Sequence, residues 1–184
     1  MKKRSLLLVI AIGIIVTAVP FVGARSAAEP TTTRHLTVAT SASADAIAPG
    51  ARVSLVVSVT PKADMHVYAP GQKDFIPVSL TLAANDAIKE EPAQFPVAEK
   101  LDVKDLGETH LVYTKAFRIV QDVTIAKSVL VKRSGTRSST ITVRGTLKYQ
   151  ACDNTICYAP VSVPVTWTLA LQLQGDVPGG AKKR

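Results

Sequence analysis

The chain has 184 residues, 47% hydrophobic and 20% charged, a balance that suits one folded domain and argues against wholesale disorder. Basic residues outnumber acidic ones by 22 to 14, yet only 5% of residues are aromatic. Nucleic-acid binding wants a basic stripe interleaved with stacking aromatics, so no nucleic-acid partner is expected. Two cysteines exclude a disulfide-rich scaffold and a four-cysteine zinc site, and leave room for one pair.

Lys2, Lys3 and Arg4 precede an apolar run from Leu6 to Val22, broken only by Gly13, Thr17 and Pro20. Val22-Gly23-Ala24 then supplies the small residues that a signal peptidase reads, so residues 1–24 are expected to be a secretory signal peptide. An apolar run of about 17 residues also just reaches the span of a bilayer, which makes an uncleaved N-terminal membrane anchor the alternative. A periplasmic or otherwise extracytoplasmic location follows from either. The remaining positive excess is dispersed and reads as solvated surface, with at most weak attraction to anionic lipid or an acidic partner. Residues 25–33 are small and polar and read as a flexible lead-in, residues 34–173 as one domain, and residues 174–184 as a disordered basic tail.

Strands dominate that domain. From Arg52 the chain alternates, with Val53, Leu55, Val57 and Val59 on one side and Ser54, Val56 and Ser58 on the other. Similar runs occur at residues 35–39, 76–82, 111–120, 139–149 and 161–171, with turn chemistry between them at Pro49-Gly50, Pro70-Gly71, Asn85-Asp86 and Ser134-Gly135. Residues 83–104 hold Pro92, Pro96 and mixed charges, and are expected to form a loop with at most a short edge strand. No long helical period occurs. The expected fold is all-β, an immunoglobulin-like antiparallel β-sandwich, with Trp167 between Val165 and Leu169 in the inter-sheet core. Gly145, inside a strand, marks a bulge or a close approach.

The two cysteines, Cys152 and Cys157, are separated by Asp153-Asn154-Thr155-Ile156, a segment able to turn the chain back on itself. Outside the cytoplasm such a pair can oxidise. From spacing alone, a structural hairpin staple and a redox site both stand. A ring this short constrains the unfolded chain by only about 2 kcal/mol, which is little help to a domain with its own core. A short ring at a turn is also accessible to exchange. Asp153 beside Cys152 disfavours a thiolate there.

Tyr149-Gln150-Ala151-Cys152 followed by Cys157-Tyr158-Ala159-Pro160 resembles the active-site segment of the N-terminal periplasmic domain of the thiol:disulfide interchange protein DsbD. Residues 65–71 and 107–113 are similar to that domain as well, and the resemblance runs from Val53 to Leu171. It implies an immunoglobulin-like sandwich whose cysteine pair receives electrons from a membrane domain and passes them to periplasmic thioredoxin-like proteins. Disulfide isomerases and cytochrome c maturation factors are among those partners. By the same resemblance Cys157 forms the mixed disulfide and Cys152 resolves it, while Tyr149, Tyr158 and Pro160 shape the rim, with His66 nearby. Leu106 stands where the family carries a shielding aromatic, and the cysteine spacing is one residue shorter. The chain shows neither a multi-helix membrane domain nor a thioredoxin-type domain, so a separate membrane thiol reductase is the expected electron donor.

Other constellations are weaker. Met65, His66, His35, His110, Cys152 and Cys157 are of types that suit copper, but a blue-copper site carries His and Met soon after its cysteine, and neither follows Cys157. No metal, no cofactor and no small-molecule substrate are expected. His66 reads as a hydrogen-bonded structural histidine and His110 as exposed; Asp102, Asp105 and Glu108 read as solvated carboxylates rather than an acid–base pair. No phosphate loop, serine elbow or His-Glu zinc motif occurs. If active, the protein is a protein-disulfide reductase or thiol:disulfide oxidoreductase. The alternatives are a non-catalytic binding or adaptor sandwich with a structural disulfide, and a copper-handling module.

Overall fold

The computed structural model describes residues 29–103, 107–130 and 139–172. In chain order the first strands are β1 (Thr31–Thr32), β2 (Leu36–Ala42), β3 (Ala46–Ile47), β4 (Arg52–Pro61), β5 (His66–Tyr68) and β6 (Ser79–Leu82). They are followed by β7 (Ile88–Glu90), β8 (Glu99–Val103), β9 (Glu108–Tyr113), β10 (Phe117–Ile125), β11 (Ser139–Tyr149), β12 (Ala151–Cys152) and β13 (Val161–Leu171). A 3₁₀ turn, Lys127–Leu130, follows β10.

Period-two burial assembles these strands into sheets. Val53, Leu55, Val57 and Val59 of β4 are buried on one face, and β10 lies antiparallel beside it with Val57 opposite Ile119. A five-stranded sheet results, in the order β1-β2-β4-β10-β7. The second sheet, β3-β13-β11-β6, is built on the long β11–β13 pair, in which Val143 faces Trp167 and Leu147 faces Val163. Their buried faces meet in one core. Trp167 crosses it, its indole N–H donating to the carbonyl of Ser41 at 3.0 Å and lying 3.3 Å from that of Val56. The Thr40 hydroxyl makes a second link, donating to the Thr166 carbonyl at 3.0 Å. The fold is an immunoglobulin-like β-sandwich, antiparallel except where β3 runs parallel to β13.

A third, smaller sheet, β12-β5-β9-β8, holds Cys152 in its strand β12. Three features differ from the sequence expectation. Residues 111–120 form two strands rather than one, because the chain leaves the third sheet after Tyr113 and enters the first at Phe117. No Gly or Pro marks that crossing; it is made by the exposed Thr114-Lys115-Ala116. Residues 83–104 contain two edge strands, β7 against β10 and β8 against β9. Backbone pairing on one side holds each of them, with little apolar burial to announce it. Thr31 and Thr32, within the expected lead-in, pair with Val38 and Thr37.

Gly145 is a close approach. A Cβ there would lie 2.9 Å from the Thr81 carbonyl oxygen on β6. Among the described residues no helix is long and apolar enough to cross a membrane. The signal segment, the turn at Ser134-Gly135, Asp105 and Leu106, and all of the tail lie outside the described residues.

Candidate redox site

β12 brings the first cysteine into the third sheet, with Cys152 opposite His66 and Ala151 opposite Val67 of β5. The chain then turns within four residues: the Asp153 amide donates to the Ile156 carbonyl at 3.0 Å, and the Tyr158 amide to that of Ala151 at 2.8 Å. This places Cys157 back across from Cys152, and a disulfide joins them. The two sulfur-bearing residues are unequal. Cys152 is 2% exposed, whereas Cys157 is open to solvent.

Tyr68, buried at the end of β5, reaches both. Its hydroxyl oxygen lies 3.3 Å from Cys152 Sγ and 3.4 Å from Cys157 Sγ. Neither sulfur of a disulfide carries hydrogen, so the phenolic O–H is the donor of either contact. Phe75 stacks on the Tyr68 ring at 4.2 Å, and His66 and His110 meet it edge-on, each at 5.7 Å. With Leu101, Val103 and Ile156 these side chains line a cavity of about 410 Å³ beside the disulfide. Burial pushes the Tyr68 phenol above its ordinary pKa, and the Glu108 carboxylate adds to this. Burial and the neighbouring His110 hold His66 below the usual imidazole range, against a smaller opposing pull from Asp153.

The turn has its own anchor. One oxygen of Asp153 accepts the amides of Thr155 and Ile156 at 2.7 and 2.8 Å, and the other accepts the Tyr158 hydroxyl at 2.7 Å. The Ile156 amide first, then the Tyr158 hydroxyl and the Thr155 amide, keep this carboxyl below the usual carboxylate range.

Of the expected site residues, Cys152, Cys157 and His66 meet at the cavity. Tyr158 sits beside Cys157 with the Arg34 guanidinium 4.9 Å above its ring. Tyr149 and Pro160 do not line the cavity: Tyr149 is wholly buried in the sandwich core with its hydroxyl 2.9 Å from that of Thr33, and Pro160 is exposed. Leu106 lies outside the described residues. His110, expected to be exposed, is 6% exposed and pairs with Glu108 at 2.9 Å. An extended strand alternates sides, and His110 falls on the cavity side of β9. Asp102 is exposed and accepts the Thr109 hydroxyl at 2.8 Å. His35 packs against Tyr158 instead of lining the cavity. Among the described residues no group of three or more His, Cys, Asp or Glu is placed to hold a metal ion. Sequence reasoning did not name Tyr68, Phe75 and Leu101 as site residues; the available signals were the family-like stretch 65–71 and the place of Tyr68 two residues after His66, on the same strand face.

The molecule is thus an all-β sandwich domain that presents one unevenly exposed disulfide at the turn of a hairpin. It belongs to the family described as thiol:disulfide interchange protein DsbD, N-terminal, whose model matches residues 33–168. Among solved structures, the DsbD N-terminal domain of Neisseria meningitidis in its reduced form is 17% identical, with 65% of this chain and 82% of that one covered and a TM-score of 0.39. The N-terminal periplasmic domain of ScsB from Proteus mirabilis is 14% identical, with 80% of this chain covered and a TM-score of 0.45. The chain spans 51% of that structure's length. The yeast GGA1 GAE domain is 10% identical, with 77% of this chain and 98% of that one covered and a TM-score of 0.41. No curated protein sequence matches the chain.

Proposed function

We propose that this protein exchanges thiols and disulfides in an extracytoplasmic compartment, the periplasm, through Cys152 and Cys157. Its partners are thioredoxin-like proteins, and a separate membrane thiol reductase supplies electrons. The observation that carries this reading is the unequal exposure of the two cysteines. An attacking thiolate can approach Cys157, while Cys152 lies buried under Tyr68.

Chemically, a partner thiolate attacks Cys157 Sγ. A new S–S bond joins partner and Cys157, the Cys152–Cys157 bond breaks, and its electron pair leaves on Cys152 Sγ. Tyr68 can donate its O–H to that sulfur as charge develops. A second partner thiolate then attacks the partner's sulfur in the mixed disulfide and releases Cys157. The partner departs oxidised and this protein keeps two thiols. Run backwards, the Cys157 thiolate attacks a partner disulfide and Cys152 resolves the mixed disulfide. No cofactor enters either direction. Residues 1–24 serve as the export signal.

The test uses the mature chain and a thioredoxin-like protein as disulfide substrate. Cys157→Ser abolishes exchange while the far-ultraviolet circular dichroism of the sandwich is retained, and Cys152→Ser accumulates a mixed disulfide. Undiminished exchange by Cys157→Ser would falsify the redox assignment.

A further inference from the structure

The hairpin between the cysteines is held by more than sulfur. Its two backbone bonds, Asp153 to Ile156 and Tyr158 to Ala151, do not involve the disulfide. Nor do the three bonds to the Asp153 carboxylate, from the Thr155 and Ile156 amides and the Tyr158 hydroxyl. Tyr158 is fixed in turn, under Arg34 and against the His35 ring at 4.5 Å. The carboxylate therefore ties the residue after Cys152 to the residue after Cys157, across the turn that the S–S bond closes.

We infer that Asp153 is a positioning residue for the exchange proposed above. Its carboxylate keeps the turn folded when the disulfide is reduced, so that the two thiols stay apposed and the disulfide re-forms readily. Closing a disordered six-residue segment costs conformational entropy at every oxidation; a turn already fixed by Asp153 has met that cost on folding. The effect is on the equilibrium between dithiol and disulfide. In the exchange with dithiothreitol, the two protein thiols lose two electrons and two protons as their S–S bond forms. Oxidised dithiothreitol gains both as its own S–S bond breaks. Asp153 exchanges nothing; it fixes geometry.

This role is separable from charge. A carboxylate beside Cys152 also repels a thiolate there, which removal of the charge alone would relieve. Asparagine keeps an oxygen able to accept the Thr155 and Ile156 amides and loses the charge, whereas alanine loses both.

The experiment measures the dithiol–disulfide equilibrium constant of the mature chain against dithiothreitol at pH 7. Asp153→Ala is expected to lower the constant for disulfide formation about tenfold, which makes the potential about 30 mV less negative. Asp153→Asn and Tyr158→Phe are expected to fall between that variant and the wild type. Thermal unfolding of the reduced variants should follow the reduced wild type, since the sandwich core is untouched. A second measurement needs no variant: in the reduced wild type, the Thr155 and Ile156 amides are expected to be protected from hydrogen exchange. The inference is overturned if Asp153→Ala leaves the constant within twofold, if Asn and Ala shift it equally, or if those amides exchange freely on reduction. The inference rests on the redox reading but fails separately from it. The dithiothreitol equilibrium is measurable even if thioredoxin-like partners do not exchange with the protein, and that second outcome defeats the redox reading alone.

Discussion

The Tyr68 phenol lies against both disulfide sulfurs and is a donor only while it stays protonated, a range that burial extends by raising its pKa. It cannot serve as a base near neutrality. His66 is likewise uncharged there, because burial and His110 lower its pKa, so His66 brings no positive charge to Cys152. In the proposed exchange the Tyr68 O–H, 3.3 Å from Cys152 Sγ, is placed to donate to a departing thiolate. Hydrogen bonds to charged groups contribute about 1.5–3 kcal/mol, so Tyr68→Phe should slow reduction of the disulfide by roughly tenfold or more. The ring and its stack on Phe75 are kept, and stability should change little. Stopped-flow rates with a small thiol reductant provide the measurement, and an unchanged rate would remove Tyr68 from the mechanism. The role was hidden at the sequence level because a tyrosine in His66-Val67-Tyr68 carries no mark of its distance from residues 152 and 157.

At the scale of elements, the site depends on one short sheet that continues from the sandwich strand β11. β12 is two residues long and follows β11 after a single residue, so the position of Cys152 inherits the register of the β11–β13 pair. That register is fixed on its other side by β6, which Gly145 lets approach closely. Gly145→Ala would drive a Cβ against the Thr81 carbonyl, and a backbone atom cannot rotate away. A loss of about 1–3 kcal/mol is expected, read as a lower denaturation midpoint, with Ala substitution at exposed Thr166 as the control. Equal midpoints would mean that β6 yields freely. The long strands were legible: residues 139–149 and 161–171 coincide with β11 and β13, since alternation with a buried face leaves its period in the sequence. β7 and β8 were not, because Lys89-Glu90 and Glu99-Lys100 carry charge where an apolar face would have signalled a strand. The cysteines themselves were legible by spacing, but Leu101 and His110 reach the cavity by the pairings of β5, β9 and β8, and Phe75 by the loop after β5, none of which spacing encodes.

For the whole molecule, the buried titrating groups define a stability plateau with two edges. His35 is 6% exposed, and neither ring nitrogen has a hydrogen-bond partner among the described residues. Burial first, then Arg34 and Lys62, lower its pKa, and burial with His110 lowers that of His66. Folding thus disfavours the protonated forms, and below about pH 6.5 the unfolded chain binds more protons than the folded one. Stability is full above that value and falls as pH drops through the folded pKa values. The tyrosines act at the other edge: burial raises Tyr68, Tyr113 and Tyr149, so the folded chain keeps protons that the unfolded chain releases above about pH 10. The denaturant midpoint should therefore stay level between about pH 7 and 9 and decline on both sides. Asp153, with its lowered pKa, acts only below the ordinary carboxylate range and does not blur the histidine edge. His35→Phe separates the two histidines. It keeps a ring against Tyr158 and removes two unpaired nitrogens, so the plateau should rise and the acid edge should become shallower. If acidification from pH 7 to 5.5 instead raised the midpoint, the buried imidazoles would have to be stabilised by protonation, and the packing of His35 and His66 described above would be wrong.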